Sequence, residues 1–335
     1  MKPWECDPER YDALLTQKCN ATEAHLSSFT DLQAQRFASP AKGYRVRAEF
    51  RLWHDGDGLD YVMFDPGSPK DPVVIDAFPQ ALPTITDAMP RLLEALRKEP
   101  VLRRKVFQAE FLASRSEDLL VTLIYHRPLD DAWENAARDL AAHLGVSLIG
   151  RSRKQKILIG NDWIEESFQV GSRGLRYRAY EQAFVQPNAA INQAMLNWLI
   201  SCSEDATGDA LELYCGNGNF SLALAQRYDR VLATEVAKVS TRAALENIAT
   251  NEVGNVDLAR LSAEETTQAL NGEREFRRLQ NLPQPLADYD FKALLVDPPR
   301  QGLDDATCAL AQRFERVYYI SCNPETLKAN LETLS

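Results

Sequence analysis

Three short apolar runs in the second half of the chain each end in residues that can take part in chemistry, and this arrangement constrains the fold most. Residues 317–320 lead into a Ser-Cys-Asn-Pro tetrad that contains Cys322. Residues 293–296 lead into Asp-Pro-Pro-Arg, which begins at Asp297, and residues 210–214 lead into a Cys-Gly-Asn-Gly-Asn turn. Apolar runs bounded by turn residues are typical of buried parallel strands. Because open α/β sheets bind ligands at the carboxyl ends of such strands, we expect a thiol, a carboxylate and a glycine turn to meet in one crevice.

Length and composition are those of an ordinary globular protein. With 335 residues, 45% of them hydrophobic and 26% charged, the chain is long enough for about two domains. No apolar stretch approaches the ~20 residues of a membrane helix. The first residues also lack the apolar core of a signal peptide, so we expect a cytoplasmic protein. The six cysteines include no Cys-x-x-Cys pair, which argues against a zinc or iron–sulfur site, and no metal is predicted.

Acidic residues are concentrated in the second half of the chain. The net charge is −10, but residues 1–180 carry 25 Lys and Arg against 26 Asp and Glu, whereas residues 181–335 carry 13 against 22. The first half also contains basic clusters at 103–105 and 151–156. Such clusters are most often solvated surface, and they can also form a local phosphate-binding face. Nucleic acid therefore remains a candidate partner despite the acidic total.

The first half, residues 1–180, is predicted to fold as a smaller α+β domain with an antiparallel sheet. Residues 45–53 alternate strictly, with apolar side chains on one face and mainly arginines on the other, which is typical of a half-buried antiparallel strand. A turn and a returning strand at 60–64 complete a hairpin. Strands followed by helices favour this fold class. Further strands are predicted at 106–112 and 119–125, and helices at 84–98 and 130–144.

The second half, residues 181–335, is predicted to be a mostly parallel, doubly wound α/β domain. Its strands and helices alternate at a spacing that indicates right-handed βαβ units. Residues 271–290 are polar, contain two prolines and form a long connection. Strands are predicted at 210–214, 230–234, 256–260, 293–297 and 317–321, and helices at 189–201, 219–227, 238–250, 304–313 and 324–334.

The glycine turn and the strand after it indicate a nucleoside-binding site. Gly216 and Gly218 let the backbone approach a ligand closely. The dinucleotide fingerprint places a third glycine where this chain has Ser221, which favours a ligand without a pyrophosphate and weakens a dehydrogenase interpretation. Glu235 ends the next strand, where a carboxylate can accept both hydroxyls of a ribose. Together with Asp297, these features indicate the adenosyl pocket of an S-adenosylmethionine-dependent methyltransferase.

Asp297 and Cys322 are the candidate reactive residues. The two prolines after Asp297 fix the backbone and carry no N–H, so the carboxylate and the guanidinium of Arg300 are held at a rigid strand exit. A related Asp-Pro-Pro tetrad that ends in an aromatic residue belongs to amino-group methyltransferases, and Arg300 in that place disfavours amine chemistry. A lone cysteine after a strand is most often inert, but a thiolate is well suited to a conjugate addition.

These motifs together resemble the RNA 5-methyluridine methyltransferase family. The resemblance rests on residues 321–327 with 297–300, extends to 44–51, 184–188 and 213–220, and so spans nearly the whole chain. Ribosomal-RNA members of the family usually carry an iron–sulfur cysteine cluster or an additional nucleic-acid-binding domain, and neither pattern is found in this sequence. The resemblance therefore implies tRNA, gripped by its T-arm, as the substrate, together with tRNA-like RNAs such as tmRNA.

The resemblance also implies a fold and a set of residue roles. The second domain would be a Rossmann-like class I methyltransferase domain, which uses S-adenosyl-L-methionine to methylate carbon 5 of the T-loop uridine 54. Cys322 would add to carbon 6 of that uracil, and the first domain would bind the RNA. Because the uracil must leave its stack, Arg51, Phe107 and Arg300 are expected to contact the RNA. The cofactor pocket would be formed by Gln186, Tyr214, Gly216, Asn219, Glu235 and Asp297.

The general base of the reaction is not identified by the sequence. In the family this base is a glutamate well beyond the cysteine, whereas this chain ends at Ser335, so Glu325 and Glu332 are candidates by residue type alone. We therefore expect the chain to be a truncated form or an incomplete sequence, with the strand at 317–321 left at the edge of its sheet. A ribosomal-RNA uracil-5 methyltransferase and a non-catalytic RNA-binding or RNA-folding protein stay open as alternatives.

Overall fold

Two large sheets follow one another along the chain, with a separate two-stranded hairpin between them. The computed structural model describes every residue except 1, 3, 32, 57 and 66. The strands are β1 (Arg47–Asp55), β2 (Gly58–Asp65), β3 (Ser68–Val74), β4 (Val106–Ala113), β5 (Leu119–Tyr125), β6 (Ser147–Ser152), β7 (Gln155–Ile159), β8 (Trp163–Val170), β9 (Arg173–Tyr180), β10 (Asp209–Leu213), β11 (Val231–Thr234), β12 (Val256–Ala259), β13 (Phe291–Val296) and β14 (Arg316–Tyr319). The helices are α1 (Tyr11–Leu26), α2 (Pro83–Lys98), α3 (Pro100–Arg103), α4 (Asp131–Leu144), α5 (Ala189–Cys202), α6 (Ser221–Leu224), α7 (Lys238–Thr250), α8 (Ala263–Leu270), α9 (Asp305–Ala311) and α10 (Pro324–Leu334).

The first sheet is antiparallel except for one pair of strands and is covered by helices on one face. Its order is β3-β2-β1-β4-β5-β6-β7, and only β5 and β6 run parallel. The helix α2 buries Ile85 and Leu92, and α4 buries Trp133, in one core with the inward residues of the sheet. On the opposite face, Glu49 and Arg51 of β1 are exposed, whereas Leu112 of β4 packs against residues of β8 and β9.

The second sheet is parallel, and its strand order reverses at a single point. The order is β12-β11-β10-β13-β14, so the chain leaves β10 toward one edge and returns to β13 on the other side. Leu211, Leu213 and Leu294 are fully buried because helices cover both faces. The reversal opens a crevice at the carboxyl ends of β10 and β13. A parallel sheet of this topology confirms the predicted α/β class, and β14 lies at its edge.

The hairpin β8–β9 is bonded to the second half of the chain by the side-chain amides of Asn247, on α7, and Asn251, which follows it. Asn251 accepts a hydrogen bond from the Arg176 backbone N–H at 2.9 Å and donates one to the Arg176 carbonyl at 2.7 Å. Asn247 accepts from the Arg178 N–H at 2.7 Å and donates to its carbonyl at 3.3 Å. Two asparagines one helical turn apart thus replace a neighbouring strand along β9. The domain boundary at residue 180 stays a prediction.

Several elements differ from the sequence-based expectations. The predicted strands and helices of the second half are present, but the helix expected over 219–227 is the four-residue α6, which continues as tighter turns closed by the Gln226 and Arg227 N–H groups. The structure also contains elements that the sequence analysis did not predict: α1, β3, the four strands between residues 147 and 180, and α8. Among the described residues, no helix is both long and apolar enough to cross a membrane.

Candidate active site at the carboxyl ends of the parallel strands

The glycine turn after β10 reverses the chain with three left-handed residues. Tyr214, Gly216 and Gly218 have φ angles of 60°, 56° and 80°. Positive φ angles strain the backbone at Tyr214, because its Cβ crowds the backbone. Glycine has no Cβ and adopts them without that strain. A Cβ at Gly218 would meet the Ala244 side chain on α7 at 3.5 Å, an ordinary van der Waals distance, so the positive φ angle is what favours glycine there. The turn is therefore a tight, fixed platform at the end of β10.

Glu235, just after β11, bonds directly to the glycine turn. Its Oε2 accepts a hydrogen bond from the Gly216 N–H at 3.1 Å, and its Oε1 accepts one from the Ala237 N–H at 2.7 Å. Each carboxylate oxygen keeps a further lone pair. The next residue, Val236, leaves 58% of its surface exposed, so an apolar side chain flanks this carboxylate. The prediction that Glu235 and Gly216 lie together is met by this geometry.

Asp297 is joined to Gln186 across the crevice. The Gln186 Nε2 donates a hydrogen bond to the Asp297 Oδ2 at 3.0 Å, and this contact joins residues that are 111 positions apart. Burial raises the pKa of Asp297 to about 6, although the bond from Gln186 acts in the opposite direction. Asp297 is therefore ionised at neutral pH and holds a partly buried negative charge at the end of β13.

Cys322 lies exposed on the turn that joins β14 to α10. This turn is bonded to the neighbouring Asp-Pro-Pro-Arg turn, since the Arg300 carbonyl accepts from Asn323 Nδ2 at 3.3 Å and from Thr326 Oγ1 at 3.1 Å. The Ile320 N–H also donates to the Val296 carbonyl at 2.9 Å. The thiol, the Asp297 carboxylate and the glycine turn thus follow three adjacent strands, as the sequence predicted.

Glu212 is a buried carboxyl in β10 that the sequence analysis missed. It is fully buried, the Ser221 Oγ donates to its Oε2, and its Oε1 has no hydrogen-bond partner among the described residues. Burial, with the nearby Asp297 and Glu235 carboxylates, raises the pKa of Glu212 to about 8. A charged residue type inside an apolar strand was the available signal. Burial likewise raises the pKa of the Cys215 thiol. Cys215 is therefore a poor nucleophile in comparison with the exposed Cys322.

The outward face of the first sheet carries a stack of three side chains, Arg51, Phe107 and His126. The Arg51 Cζ lies 3.6 Å from the Phe107 ring centroid, and the Phe107 and His126 ring centroids are 4.0 Å apart at 29°. The pairing of β4 with β5 shifts register between Val106 and Gln108, and this bulge turns Phe107 to the face of Arg51. His126, exposed just after β5, was missed because nothing in its local sequence marks it.

Arg47 has different surroundings from those expected, and the structure also places the two candidate bases. The Arg47 guanidinium is half-buried and donates to the backbone carbonyls of Glu181 and Ala183, so it serves the structure rather than an exposed arginine face. Burial lowers the pKa of Arg47. The candidate bases Glu325 and Glu332 both lie on α10, where the Glu325 Oε2 is 3.3 Å from the His25 Nε2 of α1.

Fold and site define a class I methyltransferase-type domain, in which a parallel sheet presents a glycine turn and an acidic strand end. The sequence model of the family described as tRNA (Uracil-5-)-methyltransferase matches residues 10–335. The chain therefore belongs to the tRNA (uracil-5-)-methyltransferase family, and the predicted resemblance is confirmed.

Individual relatives agree with this membership. The tRNA/tmRNA (uracil-C(5))-methyltransferase of Aromatoleum aromaticum is 50% identical over 328 residues, which cover 98% of this chain and 89% of the relative. The protein of the same name from Azotobacter vinelandii is 52% identical over 328 residues, with 98% and 90% covered. The crystal structure of Pyrococcus abyssi tRNA (uracil-54, C5)-methyltransferase in complex with S-adenosyl-L-homocysteine matches with a TM-score of 0.72 at 20% identity. It covers 97% of this chain and 77% of that one, and it supports the fold.

The buried carboxyl of Glu212 predicts a pH-dependent stability. The folded protein keeps this proton up to about pH 8, whereas the unfolded chain releases it near its ordinary value of 4.5. Stability is therefore lost progressively as the pH rises from 4.5 to 8, by up to about 1.4 kcal/mol for each pH unit. The Glu212→Gln variant lacks this proton, so its free energy of unfolding relative to the wild type should rise by on the order of 2 kcal/mol between pH 5.5 and 7.5.

Urea unfolding at the two pH values measures this difference, and Glu275→Gln, which changes an exposed glutamate, is the matched control. Parallel pH dependences for the wild type and Glu212→Gln would show that the Glu212 carboxyl is ionised in the folded protein.

Proposed function

We propose that this protein methylates carbon 5 of the T-loop uridine 54 of tRNA with S-adenosyl-L-methionine, through a covalent bond between Cys322 and carbon 6 of the uracil. The proposal includes tmRNA, whose tRNA-like part offers the same loop, and it places the reaction in the cytoplasm. The observation that carries it is the exposed Cys322 thiol on a turn bonded to the Asp297–Arg300 turn, beside the glycine turn. Family membership supports the same activity.

The crevice fits an adenosyl cofactor. Glu235 has free lone pairs for ribose hydroxyls beside Gly216, and the exposed Val236 offers an apolar surface to the adenine. Asp297 is ionised at neutral pH, and its negative charge complements a cationic cofactor. Gln186 fixes that carboxylate, and Tyr214 and Asn219 complete the pocket on the turn.

The chemistry starts at the uracil ring, because its carbon 5 is a weak nucleophile. The Cys322 thiolate forms a bond to carbon 6, and the electrons of the 5,6 double bond move toward carbon 5 and the carbonyl at carbon 4. S-adenosyl-L-methionine, when bound, would supply the methyl group that bonds to carbon 5, and the sulfur would keep the electrons of the broken bond and leave as S-adenosyl-L-homocysteine. A base then removes the carbon-5 proton, the double bond re-forms and the thiolate leaves. Glu325 and Glu332 are the candidate bases within the described chain, and that assignment stays a prediction.

The first sheet is the proposed RNA-binding surface. A uracil in a loop must leave its stack to reach a crevice, and aromatic and arginine side chains occupy the space that it leaves or stack on its neighbours. Phe107 is preassembled between Arg51 and His126 for this purpose. Arg300, which is exposed next to the Cys322 turn, is placed to contact the RNA near the target base.

Replacing the nucleophile tests the proposed chemistry. Cys322→Ala should abolish both methyl transfer into a tRNA transcript and any covalent RNA complex, because no other group on the described chain is proposed to add to carbon 6. Affinity for S-adenosyl-L-methionine, measured by titration calorimetry, should be unchanged. The control is Cys202→Ala, which removes another exposed thiol and should keep full activity. Methyl transfer by Cys322→Ala above a few per cent of the wild-type rate would refute the role of Cys322.

Two substitutions in the stack separate charge from stacking in RNA binding. Phe107→Ala should weaken T-arm binding by about 1–3 kcal/mol without changing its salt dependence, because a stacked ring neutralises no phosphate. Arg51→Ala should weaken binding and lower the slope of log affinity against log salt by about 0.7–0.9, the value for one lost phosphate contact. Neither change should alter cofactor affinity. If the affinity for the T-arm RNA does not depend on salt, or if neither variant changes it, the first sheet is not the RNA-binding surface.

A further inference from the structure

We propose that Tyr177, Asn192 and Asn247 are positioning residues that hold the glycine turn in its cofactor-binding shape. Tyr177 lies on the hairpin β8–β9, outside the parallel sheet, so the hairpin is a working part of the cofactor site. This inference rests on the proposed function, because the turn must bind S-adenosyl-L-methionine for its shape to matter. It adds three residues to those that the sequence motifs point to.

Side chains from two other elements satisfy the carbonyls on either side of Gly218. Asn247 Nδ2 donates to the Asn217 carbonyl at 3.0 Å, and the Tyr177 hydroxyl donates to the Asn219 carbonyl at 3.1 Å. Asn247 is fully buried and Tyr177 nearly so. A tight turn leaves its carbonyls without helix or sheet partners, and a buried carbonyl without a partner is costly. These two bonds therefore fix the path of the turn.

A third side chain fixes the orientation of the Asn219 amide. Asn192, buried on α5, donates to the Asn219 Oδ1 at 2.9 Å, and Asn219 Nδ2 donates back to the Asn192 Oδ1 at 2.8 Å. This pair uses the oxygen and one N–H of the Asn219 amide. The second N–H stays available to a ligand, and its direction is set by Asn192.

The hairpin can position the turn because it is itself held in the middle of β9 and at the end where β8 turns into β9. Asn247 and Asn251 bond to the backbone of Arg176 and Arg178, on either side of Tyr177. At that end, Asn197 of α5 accepts from the Gly171 N–H and donates to the Gln169 carbonyl, both at 2.9 Å. The Tyr177 hydroxyl is thus delivered to the turn from a rigid element.

The test deletes one hydrogen-bonding group at the glycine turn and compares the effect with deletion of an equally buried group far from it. Tyr177→Phe deletes only the hydroxyl and should raise the Kd and KM for S-adenosyl-L-methionine about five- to tenfold, the effect of one hydrogen bond to a buried carbonyl. The kcat and T-arm affinity should stay within about twofold. The control is Tyr61→Phe, which deletes an equally buried hydroxyl that donates to the Met89 carbonyl at 3.0 Å in the first sheet.

Both phenylalanine variants should lose similar thermal stability, and only Tyr177→Phe should lose cofactor affinity. Asn192→Ala should behave like Tyr177→Phe, whereas Asn255→Ala, which loses side-chain bonds to the Ala225 and Tyr228 carbonyls at the opposite, amino end of the parallel strands, should not. Cofactor affinity within twofold of the wild type in Tyr177→Phe and Asn192→Ala, or an equal loss in the two controls, would overturn the inference alone. A wild-type protein that does not bind S-adenosyl-L-methionine would overturn the proposed function and this inference with it.

Discussion

Burial of the parallel sheet on both faces is the constraint on which the rest of the structure depends. A strand covered on both sides has almost no place for a polar side chain along its length, so the reactive groups are found where the strands end. The reversal of strand order between β10 and β13 then brings those ends to one crevice. Glu212, a fully buried carboxyl inside β10, keeps its proton at neutral pH, which lowers the cost of burying it. Glycines follow β10 and prolines follow β13. These residues fix the backbone of each turn and so the positions of the side chains that line the crevice.

The first sheet supplies what the parallel sheet cannot, a face open to a large partner. Helices cover one side of its antiparallel strands, and on the other side the hairpin β8–β9 covers part of β4, β5 and β6, so the surface around Arg51 is the part that is open to RNA. A bulge in β4 adds Phe107 to that face beside Arg51. The hairpin β8–β9 lies between the two sheets along the chain. Side chains of α5 and of the α7 region in the second half hold it. The proposed division of labour is therefore RNA on the first sheet and cofactor and nucleophile on the second.

The parallel half could be predicted from sequence because its signals are local. Each strand is a continuous apolar run, and each ends in a turn motif, so β10, β13 and β14 were predicted within two residues at either end. The capping box at Ser262 and Glu265 is likewise a local signal for α8, which the prediction did not include. The strands β6–β9 were not predicted. Buried and exposed residues alternate in β8 and β9, so that signal was present, whereas β6 and β7 are short and Gly150 and Arg151 interrupt the apolar run of β6.

The same distinction applies to the site. Cys322, Asp297, Glu235 and Gly216 belong to motifs at strand ends, and their neighbourhood follows from the topology. That Gln186 shares a pocket with Asp297 was expected only through the family resemblance, since 111 residues separate the two, and the bond between them was not predicted. His126, Tyr177 and Asn192 carry no motif, and their positions result from a register shift, a hairpin and a helix face that only the folded chain defines. The roles of these residues in binding and catalysis stay proposals.

The central claim is that one crevice delivers Cys322 to carbon 6 of the target uracil while carbon 5 is methylated. It is tested most directly with a T-arm RNA that carries 5-fluorouridine at the target position, mixed with this chain and S-adenosyl-L-methionine. Fluorine cannot leave as a proton does, so the account predicts a stable adduct whose intact mass includes the chain, the RNA and one methyl group, with the crosslink mapped to Cys322. The adduct needs no general base, which makes the result independent of Glu325 and Glu332. Failure to form an adduct while RNA and cofactor both bind, or a crosslink at another cysteine, would contradict the account.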